Sequence, residues 1–149
     1  MADMFDTGDY QRVHALFTEY VWRFDQADLA SLAEIFTEDM IFQDTTGNVF
    51  EGRDPTMRYF QQLTARPDFR GRQHHIDNLR ITPESGGYLI RSYWTVTKWD
   101  TDAGTKVFEV TGHSLDRVRH TEDGLKFCER RVMYWRNTDC PWKPDDTDV

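Results

Sequence analysis

The sequence predicts an α+β fold, in which helices gather on one side of a β-sheet. Apolar residues recur with the 3.6-residue period of a helix in the first half of the chain, and long strand-like runs separated by turn signals fill the second half. A chain of 149 residues has the usual size of one domain with one hydrophobic core. We therefore expect a single domain over residues 1–136, followed by a polar C-terminal tail over residues 137–149.

Two helices are expected at the start of the chain. The first extends from Asp9 to Asp25, because six apolar residues fall on one face of a helix there: Val13, Leu16, Phe17, Tyr20, Val21 and Phe24. The second extends from Leu29 to Phe36, where apolar residues again share a face. The carboxylate of Asp28 is placed to cap its first turn.

A short hairpin and a third helix follow. The segments from Met40 to Asp44 and from Val49 to Glu51 flank a Thr-Thr-Gly-Asn turn, which is typical of a hairpin. The pair Asp54-Pro55 predicts a helix start, with the aspartate as the cap and the proline in the first turn. This helix should end before Arg66-Pro67, because the residue before a proline avoids helical backbone angles.

Four long strands make up the second half of the chain. Turns rich in Gly, Ser and Asp separate them, so they should pair as an antiparallel meander over residues 72–82, 88–100, 105–120 and 125–135. Long strands twist and, where bulged, curl around whatever lies on their concave face. The predicted fold is therefore a cone, in which three N-terminal helices pack on a strongly curved, mixed but mostly antiparallel sheet around a pocket.

Composition argues against several classes of function. The formal net charge of −8 would repel a phosphate backbone, so we expect no nucleic-acid partner. No run of about 18 apolar residues is present and the first residues are acidic, which predicts neither a membrane span nor a secretory signal. The two cysteines, Cys128 and Cys140, form neither a dense disulfide pattern nor a CxxC pair, which favours a reducing cytoplasm.

Metal and cofactor motifs are missing from the sequence. It contains no GxGxxG, no P-loop, no GxSxG and no HExxH pattern. The adjacent histidines His74 and His75 have poor spacing for binding one metal ion together. We therefore expect a chemistry that needs neither a metal nor a cofactor.

Local motifs accompany this order of elements. They are Phe24-Asp25-Gln26-Ala27-Asp28 with the following Leu32 to Asp39 segment, Gly52-Arg53, His74 to Asn78, Gly112 with Asp116, and Glu129-Arg130-Arg131. Their order and spacing over residues 9–136 resemble the nuclear-transport-factor-2-like (NTF2-like) superfamily, and particularly its SnoaL-like, polyketide-cyclase-like branch. Two positions depart from the pattern, since Ser114 and Leu125 stand where the family often has aromatic residues.

The resemblance implies a pair of residues for acid–base chemistry. Members of this branch that eliminate water or a halide, or isomerise a ring, pair an aspartate at the position of Asp25 with a histidine at the position of His74. His75 is the rival, because a strand alternates faces and only one of the two histidines can point inward without a bulge. A carboxylate on one imidazole nitrogen would fix the tautomer and favour a general base.

Further candidates surround this pair, and each also fits a packing or surface role. Arg130 and Arg131 point to opposite strand faces, and Arg131 should share a face with Phe127 and Glu129. Whichever of the two reaches the pocket would hold a substrate carbonyl and stabilise an enolate, and Arg131 is taken as the catalytic candidate. Tyr20 faces inward from the first helix and is a candidate acid for a departing hydroxyl. Candidate substrate-binding residues are His75, Tyr93, Trp94 and His113.

The function expected from this pattern is a lyase or isomerase, of the dehydratase or cyclase type, that acts on a small, apolar, cyclic substrate. Two alternatives remain open: a non-catalytic small subunit of a ring-hydroxylating dioxygenase, and a module that binds a ligand without reacting. The sheet face away from the helices should be apolar enough to require a cover, which predicts a homodimer or a homotrimer.

Overall fold

Three α-helices and six strands form the part of the protein that the computed structural model describes, which comprises residues 7–135. The helices are α1 (Thr7–Asp25), α2 (Leu29–Glu34) and α3 (Arg53–Thr64), and a short 3-10 helix follows at Pro67–Phe69. The strands are β1 (Phe36–Gln43), β2 (Val49–Glu51), β3 (Arg72–Glu84), β4 (Gly87–Asp100), β5 (Thr105–Thr121) and β6 (Gly124–Tyr134). The α+β prediction is confirmed, whereas the predicted tail over residues 137–149 lies outside the described residues.

All six strands belong to one mixed sheet with the order β2-β1-β6-β5-β4-β3. The strands β3 to β6 pair antiparallel as the predicted meander, and β1 pairs antiparallel with β2. Among these six strands, β1 and β6 form the parallel pair. A parallel pair needs a crossover connection, and here α3 and three long strands, together with β2, separate its two members along the chain.

The apolar face of α1 is buried against the sheet, as its periodicity predicts. Five of the six predicted positions are buried, while Val21 is partly buried at the margin of the core. Helix α1 packs on β3 and β6, and α3 packs on β1. The core between these elements is rich in aromatic side chains, including Phe24, Phe36, Phe60 and Phe127. Burial of such side chains supplies the main favourable term in folding.

Two predicted helix boundaries require correction. Helix α2 ends at Glu34, because Ile35 is its C-cap and its carbonyl accepts a hydrogen bond from the Phe127 amide of β6. Helix α3 begins at Arg53 and has Gly52, not Asp54, as its N-cap. Gly52 has φ of 98°, a left-handed conformation that glycine adopts without a steric penalty, and the chain turns there directly from β2 into the helix.

Register shifts interrupt the pairing at four places in the described sheet. The shift between β5 and β6 has the largest consequence for the site. Val118 pairs with Phe127 and Arg117 pairs with Glu129, so Cys128 is the extra residue on β6. A bulge residue resets the alternation of side chains between the two faces. As a result Phe127 and Arg130, three positions apart, are both buried on the same face.

Gly112 of β5 leaves room for the ring of a tryptophan on the neighbouring strand. It pairs with Trp94 of β4, whose indole nitrogen donates a hydrogen bond to the His113 carbonyl at 2.8 Å. A Cβ atom at position 112 would lie 2.2 Å from a ring atom of Trp94 and 2.1 Å from the carbonyl oxygen of Met133. No ordinary contact is that short, so only glycine fits here without displacing the indole or the backbone.

Replacing Gly112 with alanine should therefore destabilise the protein. We expect Gly112→Ala to lower the free energy of unfolding by about 1–3 kcal/mol, the usual cost of overpacking a close-packed site. Chemical unfolding followed by tryptophan fluorescence measures the change, with Thr105→Ala at the exposed start of the same strand as the control. Equal stability of Gly112→Ala and the wild type would contradict this account of Trp94.

Candidate active site

A cavity of about 460 Å³ lies between helices α1 and α3 and the face of the sheet that they cover, which we call the inner face. Its apolar lining consists of Phe24, Phe42, Phe60, Leu63, Phe69, Ile76, Trp94, Val96, Val110 and Val132. Its polar lining consists of Tyr20, Asp44, Thr45, Thr46, Tyr59, Arg66, Arg72, His74, Glu109, Arg130 and Tyr134. This volume, with apolar side chains and polar groups side by side in the wall, suits a small organic molecule.

Asp25 and His74 form a hydrogen-bonded pair at the cavity wall. Asp25 is the last residue of α1, and His74 is the third residue of β3. One carboxylate oxygen of Asp25 lies 2.5 Å from His74 Nδ1, and the other accepts the His74 backbone N–H at 2.9 Å. Because both oxygens are engaged by the same residue, the carboxylate and the imidazole hold each other in one orientation.

Because Nδ1 is bonded to Asp25, the second ring nitrogen of His74, Nε2, is available to a ligand in the cavity. A neutral imidazole that donates Nδ1–H to Asp25 carries a free lone pair on Nε2, and a lone pair of this kind can accept a proton. The rings of Phe24 and Phe69 flank the imidazole at centroid distances of 5.0 and 6.4 Å. The imidazole thus lies between aromatic side chains and remains about one-fifth exposed.

The choice between the two adjacent histidines follows from strand alternation. His74 lines the cavity, whereas His75 lies on the opposite, outer face of the sheet. There the Nε2 atom of His75 is 3.2 Å from Thr97 Oγ1 of β4, in an exposed position. The prediction of His75 as a substrate-binding residue is therefore wrong, and His74 is the histidine next to Asp25.

The structure reverses the expectation for the two arginines of β6. Arg130 is buried and lines the cavity, and Arg131 lies on the outer face, where it pairs with Glu129 and donates to Gln43 Oε1 at 2.9 Å. The prediction that Arg131 points into the pocket is therefore wrong. It assumed regular alternation from Phe127, and the bulge at Cys128 shifts the alternation by one residue.

Arg130 is part of a buried polar network on the inner face. Its Nη1 donates to Asp116 Oδ1 at 2.8 Å, and the Ser114 hydroxyl donates to Asp116 Oδ2, also at 2.8 Å. The Ser92 hydroxyl lies 2.8 Å from that of Ser114 and completes the chain of hydrogen bonds. Sequence reasoning missed this network, although Ser114 and Asp116 are two residues apart on one strand and therefore share a face.

Burial dominates the electrostatics of this network. It raises the pKa of Asp116 to about 6, against the opposing effects of Arg130 and of the Ser114 hydroxyl. The guanidinium carbon of Arg130 lies 4.3 Å from the ring centroid of Tyr20 and forms a cation–π contact. Burial likewise raises the pKa of Tyr20, and Arg130 partly offsets the rise. Tyr20 therefore stays protonated at neutral pH and its hydroxyl remains a donor.

A second tyrosine lines the cavity near the β1–β2 turn. The carboxylate of Asp44 accepts hydrogen bonds from Thr46 and Asn48, and these bonds outweigh burial and lower its pKa. Burial and the neighbouring Asp44 together raise the pKa of Tyr59 to about 12. Tyr59 is consequently a neutral hydroxyl beside a fixed negative charge.

The remaining candidates divide between the two faces of the sheet. Trp94 lines the cavity. Tyr93 and His113 form a cross-strand pair on the outer face, where Trp135 contacts both rings at centroid distances of 5.0 and 5.9 Å. The prediction that Tyr93 and His113 lie in the pocket is therefore wrong. Each of them is next in sequence to a residue of the inner face, and successive residues of a strand point to opposite faces.

Two classes of feature are absent from residues 7–135. No group of three His, Cys, Asp or Glu side chains in this part of the chain is arranged to hold a metal ion. None of the helices described there is both long enough and apolar enough to cross a bilayer.

A family model for the SnoaL-like domain matches residues 5–131, which is most of the chain. The chain belongs to the SnoaL-like domain family. The prediction made from the local motifs is thereby confirmed. Among curated proteins, no match was found.

Solved structures support the same fold for this SnoaL-like protein. Aln2 from a Streptomyces species has a TM-score of 0.80 at 20% identity, with 89% of this chain and 94% of that chain covered. An NTF2-like protein with a cystatin-like fold from Novosphingobium aromaticivorans gives 0.78 at 19% identity, covering 88% and 84%. A proposed aromatic ring hydroxylase from the same species gives 0.72 at 22% identity, covering 89% and 93%. At these identities the likeness shows an NTF2-like, cystatin-like fold.

Proposed function

We propose that this SnoaL-like protein is a cofactor-independent lyase or isomerase that removes a proton from a small cyclic substrate. The observation that carries the proposal is the Asp25–His74 hydrogen bond, whose imidazole lines the cavity. Histidine is the side chain that acts most often as a general base, and a third group commonly orients such a base. The aromatic and aliphatic side chains of the lining suit a cyclic apolar substrate.

In the proposed reaction His74, Asp25 and Tyr20 have separate roles. His74 Nε2 takes a proton from a carbon next to a carbonyl or on an activated ring, and the electron pair of the broken C–H bond moves toward the carbonyl. Asp25 stabilises the imidazolium that forms and holds its orientation. In an elimination the proton then leaves with the departing hydroxyl as water, assisted by Tyr20 or by a water molecule; in an isomerisation it returns to another carbon.

The fold contributes the enclosure that this reaction needs. We infer that the four register shifts curve the sheet strongly enough to form the predicted cone around the cavity. An apolar enclosure strengthens the attraction between the imidazolium and Asp25, because fewer water molecules screen the two charges.

Proton exchange provides a direct test that does not require the natural substrate. The protein is incubated with α-tetralone in deuterium oxide, and the loss of the proton next to the carbonyl is followed by NMR; a β-hydroxy derivative reports loss of water in parallel. We expect His74→Ala and Asp25→Asn to reduce the catalysed rate at least about a hundredfold. Their thermal transitions should stay close to that of the wild type.

His75→Ala is the matched control, because it removes a neighbouring imidazole that lies on the outer face of the sheet. This variant should keep the wild-type exchange rate. Full activity in His74→Ala, or equal losses in His74→Ala and His75→Ala, would contradict the assignment of His74 as the base.

A second candidate function is that of a non-catalytic small subunit of a ring-hydroxylating dioxygenase. The similarity to a proposed aromatic ring hydroxylase favours it. Size-exclusion chromatography of the protein expressed alone separates the two functions: the enzyme should form a stable homodimer or homotrimer, and a subunit should aggregate until a large partner is supplied. A stable assembly that binds cyclic ketones without exchanging protons would instead indicate a ligand-binding module.

A further inference from the structure

Two carboxylates line the cavity, and they differ in the partners that they bind. Glu109 forms an ion pair with Arg72, whose Nε and Nη2 atoms each donate to one of its oxygens at 2.8 Å. Asp44 accepts four hydrogen bonds, and all of them come from neutral groups of Thr46 and Asn48. Within residues 7–135, the charge of Asp44 is therefore not paired with a cation.

One oxygen of Asp44 has acceptor capacity to spare. Its Oδ1 accepts the backbone N–H groups of Thr46 and Asn48 at 2.9 and 3.0 Å, and the Thr46 hydroxyl at 2.7 Å. Its Oδ2 accepts the side-chain amide of Asn48 at 3.0 Å. A carboxylate oxygen has two lone pairs, so Oδ2 can accept a further donor. Because Asp44 is 6% exposed and lines the cavity, a ligand in the cavity can supply that donor.

Tyr59 of α3 is held beside this carboxylate by aromatic packing. Its ring stacks on Phe50 at a centroid distance of 4.5 Å and lies 5.8 Å from the ring of Phe42. Both phenylalanines belong to the β1–β2 hairpin, whose turn begins at Asp44. The raised pKa of Tyr59, about 12, keeps its hydroxyl protonated and able to donate. One ligand hydroxyl can therefore donate to Asp44 and accept from Tyr59 at the same time.

The strand order separates these two residues from the base. His74 belongs to β3, Asp44 directly follows β1, and the strands β6, β5 and β4 lie between β1 and β3 in the sheet. Neighbouring strands are about 4.8 Å apart, so the two side chains line different sides of the cavity. A ligand that reaches both must contact them with different atoms.

We propose that Asp44 and Tyr59 determine substrate specificity by binding a hydroxyl group of the substrate, on the side of the cavity away from His74. This inference rests on the proposed function, which assigns the base to His74. The substrate is then a ring system whose hydroxyl group is remote from the carbon that loses its proton. Such a site rejects an analogue without the hydroxyl, because that analogue leaves buried polar groups without a partner.

Binding of two naphthalene derivatives tests the inference without turnover. 2-Naphthol carries a hydroxyl group, and 2-methylnaphthalene carries a methyl group of similar size in its place. Neither has a proton on a carbon next to a carbonyl, so isothermal titration calorimetry measures affinity alone. We expect the wild type to bind 2-naphthol at least about tenfold more tightly, although 2-methylnaphthalene is the more apolar ligand.

Two variants should lower this preference. Asp44→Asn should reduce the affinity ratio of the two ligands about tenfold, because a hydrogen bond to an ionised acceptor is stronger than one to a neutral acceptor. Tyr59→Phe should reduce the ratio about threefold or more. The affinity for 2-methylnaphthalene should stay the same in both. Tyr93→Phe is the matched control, since it removes a tyrosine hydroxyl on the outer face and should leave the ratio unchanged.

Loss of the polar site must be separated from loss of the turn that Asp44 holds. Asp44→Asn keeps a side-chain oxygen for the donors of Thr46 and Asn48, and circular dichroism verifies that each variant is folded. Tyr59→Phe removes a hydroxyl group and keeps the aromatic ring that packs on Phe50. It therefore tests the proposal even if Asp44→Asn fails to fold.

Four results would overturn the proposal. They are the absence of binding, equal or weaker binding of 2-naphthol, a ratio that Asp44→Asn and Tyr59→Phe both leave unchanged, and a ratio that is lost in His74→Ala but kept in Tyr59→Phe. The last result would place the ligand hydroxyl at the base. Because neither probe is turned over, these outcomes are independent of the exchange assay, and a failure here is distinct from a failure of the proposed reaction.

Discussion

The hydrogen bonds between Asp25 and His74 are the interaction on which the rest of the site depends. They join the last residue of α1 to the third residue of β3 and use both the backbone and the ring of the histidine. A carboxylate at the C-terminal end of a helix is unfavourable with respect to the helix dipole, so its position calls for a compensating partner. His74 provides that partner, and the same bond orients the imidazole toward the cavity.

Helix α1 also links this pair to the second polar centre. Its buried face presents Tyr20 to Arg130, while its end presents Asp25 to His74. His74 and Arg130 both belong to the sheet, and α1 supplies the side chain that each of them contacts. In this arrangement the His74 side chain is about one-fifth exposed, and Arg130 is almost completely buried.

The sequence was sufficient to predict the helices and strands, but not the sheet face that each side chain occupies. Periodicity located α1 and the four long strands to within a few residues, because a helical stripe and a run between glycine turns are local signals. Motifs identified Asp25 and His74. The prediction chose Arg131 instead of Arg130 as the pocket residue. The bulge at Cys128, which decides between them, depends on the pairing of two strands, and no local sequence pattern indicates it. The Ser92–Ser114–Asp116 network was missed as well, since Ser92 and Arg130 join Ser114 and Asp116 only through the pairing of neighbouring strands.

The protonation state of the His74 ring tests the central claim most directly. Nitrogen-15 NMR of histidine-labelled protein distinguishes the two ring nitrogens, and comparison with His74→Ala assigns the signals. The account predicts that the neutral ring carries its proton on Nδ1, with Nε2 unprotonated, and that Asp25→Asn disturbs this preference. A proton on Nε2 in the wild type, or the same tautomer with and without the Asp25 carboxylate, would contradict it.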